Sequence, residues 1–361
     1  MTLIVVEDDA ILRTVPVILD PDAEAARVQA VTDFYRFDVP DFLGWRDSLR
    51  ARIPGLYPAK VVFAKDQADL RSKIAEADGV IVESLTIGEP ELAAAKRLKS
   101  VLRFGSLPTT VDVNACARRK IAVDVQRRRV NVAVAEHALL MMLALAKRLT
   151  ETTNIVEEKT LRDHGWDPTP FDRRYTGNSN FARITGLKML NGATLGILGL
   201  GEIGREIASR AAAFGMRILY HQRNRVSAAE EWALNATYCP LKELLGQSDF
   251  FSVNVPLNGA TRGMIGAEAL GQLKPGAIVV NVARAEIIDR DALLAALDSG
   301  CIGGFGLDVG YEEPTKPGDK LLSYKSVLLT PHTAIAGRDN GIADMEEMYG
   351  KMWRAISHPR D

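Results

Sequence analysis

The sequence predicts an α/β protein with two doubly wound parallel-sheet domains. From Lys60 to about residue 330, short apolar runs of strand length alternate with stretches of helical periodicity, as in parallel sheets with crossover helices. One apolar run, Leu195–Leu198, leads without a gap into the glycine-rich turn Gly199–Gly204. A chain of 361 residues is also too long for one ordinary hydrophobic core. We therefore expect two domains.

The composition is that of a soluble globular protein, with 47% apolar and 25% charged residues. The net charge of −1 gives no general attraction to nucleic acid or anionic membranes, so we expect a small-molecule partner. Cys116, Cys239 and Cys301 share no C-x-x-C spacing, which indicates neither a disulfide framework nor a metal site. The N-terminus lacks the basic segment of a secretory signal, and no apolar run reaches the ~18 residues of a membrane span. We expect a cytoplasmic protein.

The first 60 residues show the weakest pattern. Leu3–Val6 and Val15–Leu19 resemble strands. An aromatic cluster follows them, formed by Phe34, Tyr35, Phe37, Phe42 and Trp45. We interpret this segment as a packed cover over the edge of the first domain rather than as a binding site.

The first domain is predicted from the regular alternation that begins at Lys60. Its predicted strands are Val61–Ala64, Gly79–Val82, Val101–Phe104 and Ile121–Val125, and its predicted helices are Gln67–Ala75, Glu89–Leu98 and Val113–Arg118. This domain has no glycine fingerprint, and we place the tail from Pro331 back on it. Residues 1–130 and 331–361 are therefore expected to form a discontinuous, flavodoxin-like substrate domain.

Two loops of this domain follow predicted strands at their carboxyl ends, where open α/β sheets present ligands. One is Gly105–Thr110 and the other is Gln126–Arg129. Three consecutive arginines are equally typical of a solvated surface, so Arg127, Arg128 and Arg129 leave two interpretations open. In the second, one of them recognises a further anionic or polar group of the substrate.

Residues 132–149 predict a long apolar helix, with Asn131 as its N-cap. Because Glu136 and His137 interrupt the helix, we expect it to lie in a core or an interface rather than in a bilayer, with His137 in a structural role. Thr150–Leu190 is polar and aperiodic. A loop of this length is usually functional or an arm over a partner subunit, and its expected anchors are Trp166, Phe171 and Tyr175.

The glycine turn Gly199–Gly204 carries the strongest functional signal. It has the G-x-G-x-x-G spacing between a buried strand and a helix at Ile203–Phe214, and a second strand follows at Met216–Tyr220. In such a unit the glycines permit a tight turn, a close approach of backbone to a pyrophosphate, and packing of helix on strand. The pyrophosphate rests on the helix N-terminus. We therefore predict a dinucleotide site.

The alternation continues to residue 330 and completes a Rossmann domain at 131–330. Further predicted strands are Phe250–Val255, Ala277–Val282, Gly304–Val309 and Val327–Leu329, and predicted helices are Leu241–Leu245, Gly266–Leu270 and Arg290–Asp298. The second strand of the turn unit leads into Gln222, Arg223 and Arg225, where NAD-binding proteins have an acidic residue for the ribose 2′-hydroxyl. Residues 220–225 contain no carboxylate, and arginine suits a 2′-phosphate, so we predict NADP over NAD.

Three polar residues follow strand ends of this domain: Arg284, Glu313 and His332. Together they supply what reduction of a carbonyl requires. A planar cation orients a carboxylate and polarises a ketone, an imidazole gives a proton near neutral pH, and a carboxylate fixes the imidazole.

In these stretches the sequence resembles the D-isomer-specific 2-hydroxyacid dehydrogenase family. The resemblance lies in Val134–Leu139, Leu198–Gly204, Pro256-Leu257 with Thr261, Val280–Arg284, Leu307–Val309 with Glu313-Pro314, and Thr330–His332. It covers the chain from about 100 to 340.

The resemblance implies a role for each matched residue. His332 is the acid/base, Glu313 its partner, and Arg284 the substrate clamp. Asp308 contacts the nicotinamide carboxamide. Val255, Pro256 and Thr261 line the cofactor. Together with the residues of the glycine turn and of the following strand end, the predicted cofactor-binding set is Gly199, Gly201, Glu202, Ile203, Gly204, Gln222, Arg223, Arg225, Val255, Pro256, Thr261, Val282 and Asp308. Backbone N–H groups of Gly105, Ser106 and Leu107 bind the substrate carboxylate. A homodimer is also implied.

This chain departs from the family at two substrate loops. Leu107-Pro108 stands where a second glycine is usual, and Arg127-Arg128 stands where a Pro-Gly turn is common. The substrate therefore cannot be transferred from the family, although the acidic Glu313 argues against formate. We expect hydride transfer between NAD(P) and a 2-keto or D-2-hydroxy acid. The alternatives are a dinucleotide-sensing, corepressor-like protein and oxidation of an inorganic oxyanion such as phosphite.

Overall fold

The computed structural model describes residues 1–358, which divide into two compact units. Unit 1 comprises Met1–Val130 and the chain from Ala336, and unit 2 comprises Asn131–Ile335. The chain passes from unit 2 back to unit 1 between residues 335 and 336, whereas we expected this boundary between 330 and 331. The last three residues of the expected substrate domain, 359–361, lie outside the described part of the chain.

The described residues form twelve β-strands: β1 (Thr2–Glu7), β2 (Ala59–Ala64), β3 (Gly79–Val82), β4 (Ser100–Arg103), β5 (Ala122–Val125), β6 (Thr194–Leu198), β7 (Arg217–His221), β8 (Ala236–Tyr238), β9 (Phe250–Val253), β10 (Ala277–Asn281), β11 (Ile302–Leu307) and β12 (Val327–Leu329). They form fifteen α-helices: α1 (Val15–Leu19), α2 (Ala25–Tyr35), α3 (Phe42–Arg52), α4 (Gln67–Lys73), α5 (Glu89–Ala94), α6 (Val113–Arg118), α7 (Arg129–Ala146), α8 (Leu149–Thr152), α9 (Glu158–Asp163), α10 (Glu202–Ala213), α11 (Ala228–Leu234), α12 (Leu241–Gln247), α13 (Ala267–Gly271), α14 (Arg290–Asp298) and α15 (Asp339–Ser357).

Unit 1 is built on a five-stranded parallel sheet in the order β2-β1-β3-β4-β5. This 2-1-3-4-5 order is that of flavodoxin-like proteins, which confirms the predicted fold class. Alternate residues of β1 enter different cores. Ile4 and Val6 pack with α1, α2, α3 and α15, whereas Val5 packs with α4, α5 and α6. Helices therefore cover both faces of the sheet.

The interpretation of residues 1–60 was wrong in two respects. Val15–Leu19 is helix α1 rather than a strand, because a fully buried run of five apolar residues carries no periodicity that separates the two structures. The segment is also not an edge cover, since β1 pairs with a strand on either side. Of the aromatic cluster, Tyr35 stacks on Phe42 at 5.0 Å, but Phe37 is 78% exposed.

Unit 2 is built on a seven-stranded parallel sheet in the order β12-β11-β10-β9-β6-β7-β8. Numbered from β6, six of these strands have the 3-2-1-4-5-6 order of the Rossmann fold, which confirms the second predicted fold class. The seventh strand, β12, extends the sheet beyond β11. The strand order reverses at β6 and β9. Ligands bind at the carboxyl ends of strands at such a reversal.

Helix α7 begins earlier than expected. Asn131 lies buried inside its first turn, so the prediction of Asn131 as N-cap was wrong. Among residues 1–358, α7 is the one helix long and apolar enough to cross a membrane, but 56% of it is buried within the protein. In the following loop, Tyr175 is 81% exposed and is not the anchor that we expected.

A buried carboxylate orders the carboxyl end of the sheet in unit 1. Glu7 ends β1 and is 8% exposed, and its Oε2 accepts N–H bonds from Glu83, Ser84 and Leu85 at 2.6–3.0 Å. The Ser84 hydroxyl donates to the other oxygen. Burial raises the pKa of the Glu7 carboxyl, but these hydrogen bonds outweigh burial and hold its pKa below the ordinary value.

We expect Glu7→Gln to lower the free energy of unfolding of unit 1 by about 1.5–3 kcal/mol at pH 7, because hydrogen bonds to a charged group are replaced by neutral ones. A depressed folded-state pKa gives stability that is present above the unfolded value of 4.5 and is lost as pH falls through the folded value. The difference between wild type and variant, measured by urea unfolding, should therefore shrink below pH 4.5. The exposed Glu76→Gln serves as control. Equal stability of Glu7→Gln and wild type at pH 7 would contradict this account.

Candidate active site

The glycine turn between β6 and α10 depends on three positions without a side chain. Gly199 has φ +93°, and a Cβ there would lie 2.8 Å from the Asn254 carbonyl oxygen. At Gly204 a Cβ would overlap the Gly199 carbonyl oxygen. At Gly201 a Cβ would meet no atom within 4 Å, so the backbone faces open space. This cradle fits the pyrophosphate of a dinucleotide.

Side chains from other elements support the turn. Glu202 is the first residue of α10, Ile203 is the second, and Glu202 Oε2 accepts a bond from Asn131 Nδ2 at 2.6 Å. Gln222, which follows β7, accepts the Leu200 N–H at its Oε1 at 2.9 Å. The strand that carries the predicted ribose contacts is therefore tied directly to the turn.

The residues after β7 differ in what they contact. Arg223 is exposed and makes no hydrogen bond or ion pair with any residue of 1–358. Arg225, by contrast, donates from Nε and Nη2 to the two oxygens of Glu231 at 2.8 and 2.7 Å. Glu231 lies on α11, outside the window 220–225 in which the sequence shows no carboxylate. The sequence therefore did not indicate this ion pair.

The other predicted cofactor residues lie at the ends of β9 and β10. The Val255 side chain lies against Gly199. The Thr261 hydroxyl donates to the Pro256 carbonyl oxygen at 2.6 Å and closes the turn between them. Val282 is buried directly after β10.

His332 and Glu313 form the titratable pair of the site. His332 lies after β12 with φ 55°, and its Nδ1 is 3.1 and 3.2 Å from the two carboxylate oxygens of Glu313. Both side chains are about half exposed, at 42% and 45%. They line a cavity of about 470 Å³ whose other walls include Tyr311, Leu321 and Leu329. The imidazole is therefore oriented by a carboxylate and remains accessible.

Asp308 anchors the segment that carries His332. It ends the β11 region, is 1% exposed, and accepts bonds from the Thr330 hydroxyl at 2.6 Å, Thr333 N–H at 2.8 Å and Ala334 N–H at 3.1 Å. His137 Nε2 lies 3.0 Å from the same Thr330 hydroxyl, in keeping with its expected structural role. In this conformation the carboxylate of Asp308 is engaged within the protein, and its contact with a carboxamide stays a prediction.

Arg284 follows β10, two strands from β12 along the same carboxyl edge. Asn281 Nδ2 donates to the Arg284 carbonyl oxygen at 2.8 Å and fixes the backbone. The guanidinium is exposed, and its Nη1 donates to the Ala283 carbonyl oxygen at 2.7 Å.

In unit 1 the two predicted substrate loops follow β4 and β5. The Gly105 N–H donates to the Arg103 carbonyl oxygen at 2.9 Å, so an anion would bind N–H groups further along the loop. Arg129 is paired with Asp344 at 2.6 Å. Arg128 lies over the Phe104 ring at 5.1 Å. Arg129 is therefore engaged in an ion pair within unit 1, and substrate recognition by this arginine run stays a prediction.

Comparison with known proteins decides the family. The model of the D-isomer specific 2-hydroxyacid dehydrogenase NAD-binding domain matches residues 139–334. The chain belongs to the D-isomer-specific 2-hydroxyacid dehydrogenase family. It is an NAD(P)-dependent enzyme of the 2-keto acid and 2-hydroxy acid class, as the sequence predicted.

Relatives in this family cover most of the chain. The glyoxylate reductase of Thermococcus gammatolerans is 39% identical over 255 residues, which are 70% of this chain and 72% of that protein. The glyoxylate reductase of Pyrococcus furiosus is 37% identical over 270 residues, 74% of this chain and 76% of that protein. The crystal structure of a glyoxylate reductase from Paecilomyes thermophila is 26% identical, has a TM-score of 0.56, and matches 99% of this chain and 96% of that chain.

The glycine turn gives a matched pair of substitutions. Gly201→Ala should fold normally, since its Cβ meets open space, but should weaken NADPH binding at least ~10-fold because the methyl group occupies the pyrophosphate cradle. Gly204→Ala should instead lower thermal stability, since its Cβ meets backbone. Thermal unfolding and a fluorescence titration of NADPH measure both effects. Wild-type affinity in Gly201→Ala would place the pyrophosphate elsewhere.

Proposed function

We propose that this protein is an NADPH-dependent reductase of small 2-keto acids such as glyoxylate, with His332 as the proton donor. The observation that carries the proposal is the His332–Glu313 pair at 3.1 Å on the carboxyl edge of the Rossmann sheet. The relatives named as glyoxylate reductases support the substrate class.

Three residues of unit 2 have separate roles in the reduction. When bound, the nicotinamide supplies the hydride that the carbonyl carbon accepts. His332, protonated at the nitrogen away from Glu313, gives a proton to the carbonyl oxygen as the alkoxide develops. Glu313 stabilises the imidazolium and holds the ring orientation through Nδ1. Arg284 pairs with the substrate carboxylate and polarises the ketone.

The assignment of the two units follows from their loops. Unit 2 contains the matched NAD-binding domain and the glycine turn. Unit 1, which is Met1–Val130 with the chain from Ala336, is our proposed substrate domain. In it the loop of Gly105, Ser106 and Leu107 binds the carboxylate through N–H groups beyond that of Gly105. Glyoxylate has no side chain, so it places the smallest demand on Leu107-Pro108, where this chain departs from the family.

The preference for NADPH rests on Arg223. It is exposed at the end of β7 with no partner among residues 1–358, so its guanidinium can bind a 2′-phosphate without first breaking an ion pair. Residues 220–225 place no carboxylate where one would repel that phosphate.

A homodimer and a cytoplasmic location stay predictions. Exposed apolar side chains between residues 140 and 189 support the dimer: Leu140, Leu149, Val156, Leu187 and Met189. A monomer mass in sedimentation equilibrium would contradict it.

The catalytic roles are tested by two substitutions. His332→Ala should lower kcat for glyoxylate reduction at least ~10²-fold with little change in NADPH affinity, which is the scale of a general acid. Glu313→Gln should move the alkaline limb of the kcat/KM profile to lower pH, since the imidazolium loses its stabilising carboxylate. Wild-type turnover in His332→Ala would rule out the mechanism. An unmoved profile in Glu313→Gln would remove Glu313 from its role.

The same assays test the enzyme class. A panel of glyoxylate, hydroxypyruvate, pyruvate, bulky 2-keto acids and phosphite, each with both cofactors, separates a reductase from the two alternatives. Binding of NADPH without turnover of any member would favour a sensing protein.

The cofactor preference is tested at Arg223. Wild type should have a higher kcat/KM with NADPH than with NADH. Arg223→Ala should lower the ratio of these two kcat/KM values about 10–100-fold, because one charge-assisted pair contributes about 1.5–3 kcal/mol. Measurements with NADH in the same variant show whether the loss is specific to the 2′-phosphate. If wild type used NADH as well as NADPH, the proposed preference would be wrong.

A further inference from the structure

Glu231 is a carboxylate that neither the family resemblance nor the proposed mechanism explains. Its side chain is 12% exposed, and it accepts bonds from Arg225 and from the hydroxyl of Tyr220, which donates to Oε1 at 2.7 Å. Tyr220 is fully buried in β7 and also accepts the Val226 N–H at 3.2 Å. Strand, loop and helix α11 therefore meet at one ionised group.

Arg225 covers this carboxylate from the solvent side. Its side chain is 61% exposed, and both carboxylate oxygens of Glu231 receive one of its N–H groups. The guanidinium also lies 5.6 Å from the centre of the Tyr238 ring. An arginine with a bidentate carboxylate and an aromatic neighbour has its geometry fixed before any ligand arrives.

Arg223 and Arg225 are therefore not equivalent. They lie two residues apart, so their backbones are separated by roughly 7 Å. Of the two arginines, Arg225 is paired with Glu231, whereas Arg223 makes no hydrogen bond or ion pair with residues 1–358. Arg225 would have to turn its Nε–Nη2 edge away from Glu231 to bind a phosphate with that edge, and that would expose a carboxylate beside the phosphate.

We propose that Arg225 promotes NADPH binding by neutralising Glu231 rather than by contacting the 2′-phosphate, which leaves Arg223 as the direct phosphate contact. Glu231 thus makes the cofactor preference depend on Arg225. The inference rests on the proposed cofactor preference. It assigns Glu231 a function that the residues of the 220–225 loop alone do not reveal.

The charges explain why the pair matters. With Arg225 in place, the group of Arg223, Arg225 and Glu231 has a net charge of +1, which attracts the 2′-phosphate. Without Arg225 the group has no net charge, and the Glu231 carboxylate, no longer neutralised, opposes the binding of a second anion at this strand end. NADH lacks the 2′-phosphate, so its affinity should be nearly the same with and without Arg225.

The test is a double-mutant cycle read by equilibrium binding. The dissociation constants of NADPH and NADH are measured by nicotinamide fluorescence, without substrate, for wild type, Arg225→Ala, Glu231→Gln and the double variant. Arg225→Ala should weaken NADPH about tenfold and NADH less than about threefold. The double variant should regain NADPH affinity within about threefold of wild type. Glu231→Gln alone should bind NADPH at least as tightly as wild type, because it keeps an acceptor for Tyr220 and frees Arg225.

Two results would overturn the proposal. A double variant as weak as Arg225→Ala would mean that Arg225 contacts the phosphate itself. Equal losses for NADPH and NADH would mean that the pair only maintains the fold of the loop, and thermal unfolding of each variant reports that case independently. Arg162→Ala, which breaks an exposed arginine–glutamate pair on α9, is the matched control.

Failure of the reductase proposal would look different. It would appear as absent turnover of 2-keto acids while the binding constants kept the predicted pattern. If wild type bound NADPH no better than NADH, these two dissociation constants alone would contradict the proposed cofactor preference.

Discussion

The contact between Gly204 and the Gly199 carbonyl oxygen constrains the whole of unit 2. β6 is the strand at which the sheet order reverses, and α10 can begin directly after it only if the third residue of the helix has no Cβ. The same turn leaves Gly199 against Asn254 and Val255, the loop that follows β9. The absence of a Cβ at these two glycines therefore fixes a helix N-terminus and a neighbouring loop at the edge where a dinucleotide binds.

A second constraint acts at the far side of the sheet, through Asp308. Its buried carboxylate accepts bonds from the backbone of Thr333 and Ala334, on the two positions after His332. The His332 N–H donates to the carbonyl oxygen of the same Asp308 at 2.9 Å. The backbone of the histidine is thus held in a left-handed conformation, while its ring stays half exposed. The anchoring groups are buried and the imidazole is accessible, which suits the proton donor that we propose.

The sequence predicted both sheets and most of their strands, because glycine spacing and apolar periodicity are local signals. Strand ends also placed Arg284, Glu313 and His332 on one edge. The prediction from sequence failed where a structure is decided by contacts with residues distant in the chain, or where an element is too short for its periodicity to be read. Val15–Leu19 is too short for its period to be read, and β8 has only three residues. Asn131 has the composition of a cap, yet it lies inside α7 and donates to Glu202, which is distant in the chain.

Two glutamates show how exposure separates the roles of chemically identical groups. Glu313 is 45% exposed and lies beside the half-exposed imidazole of His332. Glu231 is 12% exposed, and hydrogen bonds from Arg225 and Tyr220 lower its pKa to about 2. It is ionised throughout the physiological range, so the role that we propose for Arg225 does not depend on pH there. In the sequence, residues 220–225 show two positive charges, Arg223 and Arg225, at the end of β7. The folded chain presents one of them uncompensated, and the NADPH preference that we propose depends on this difference.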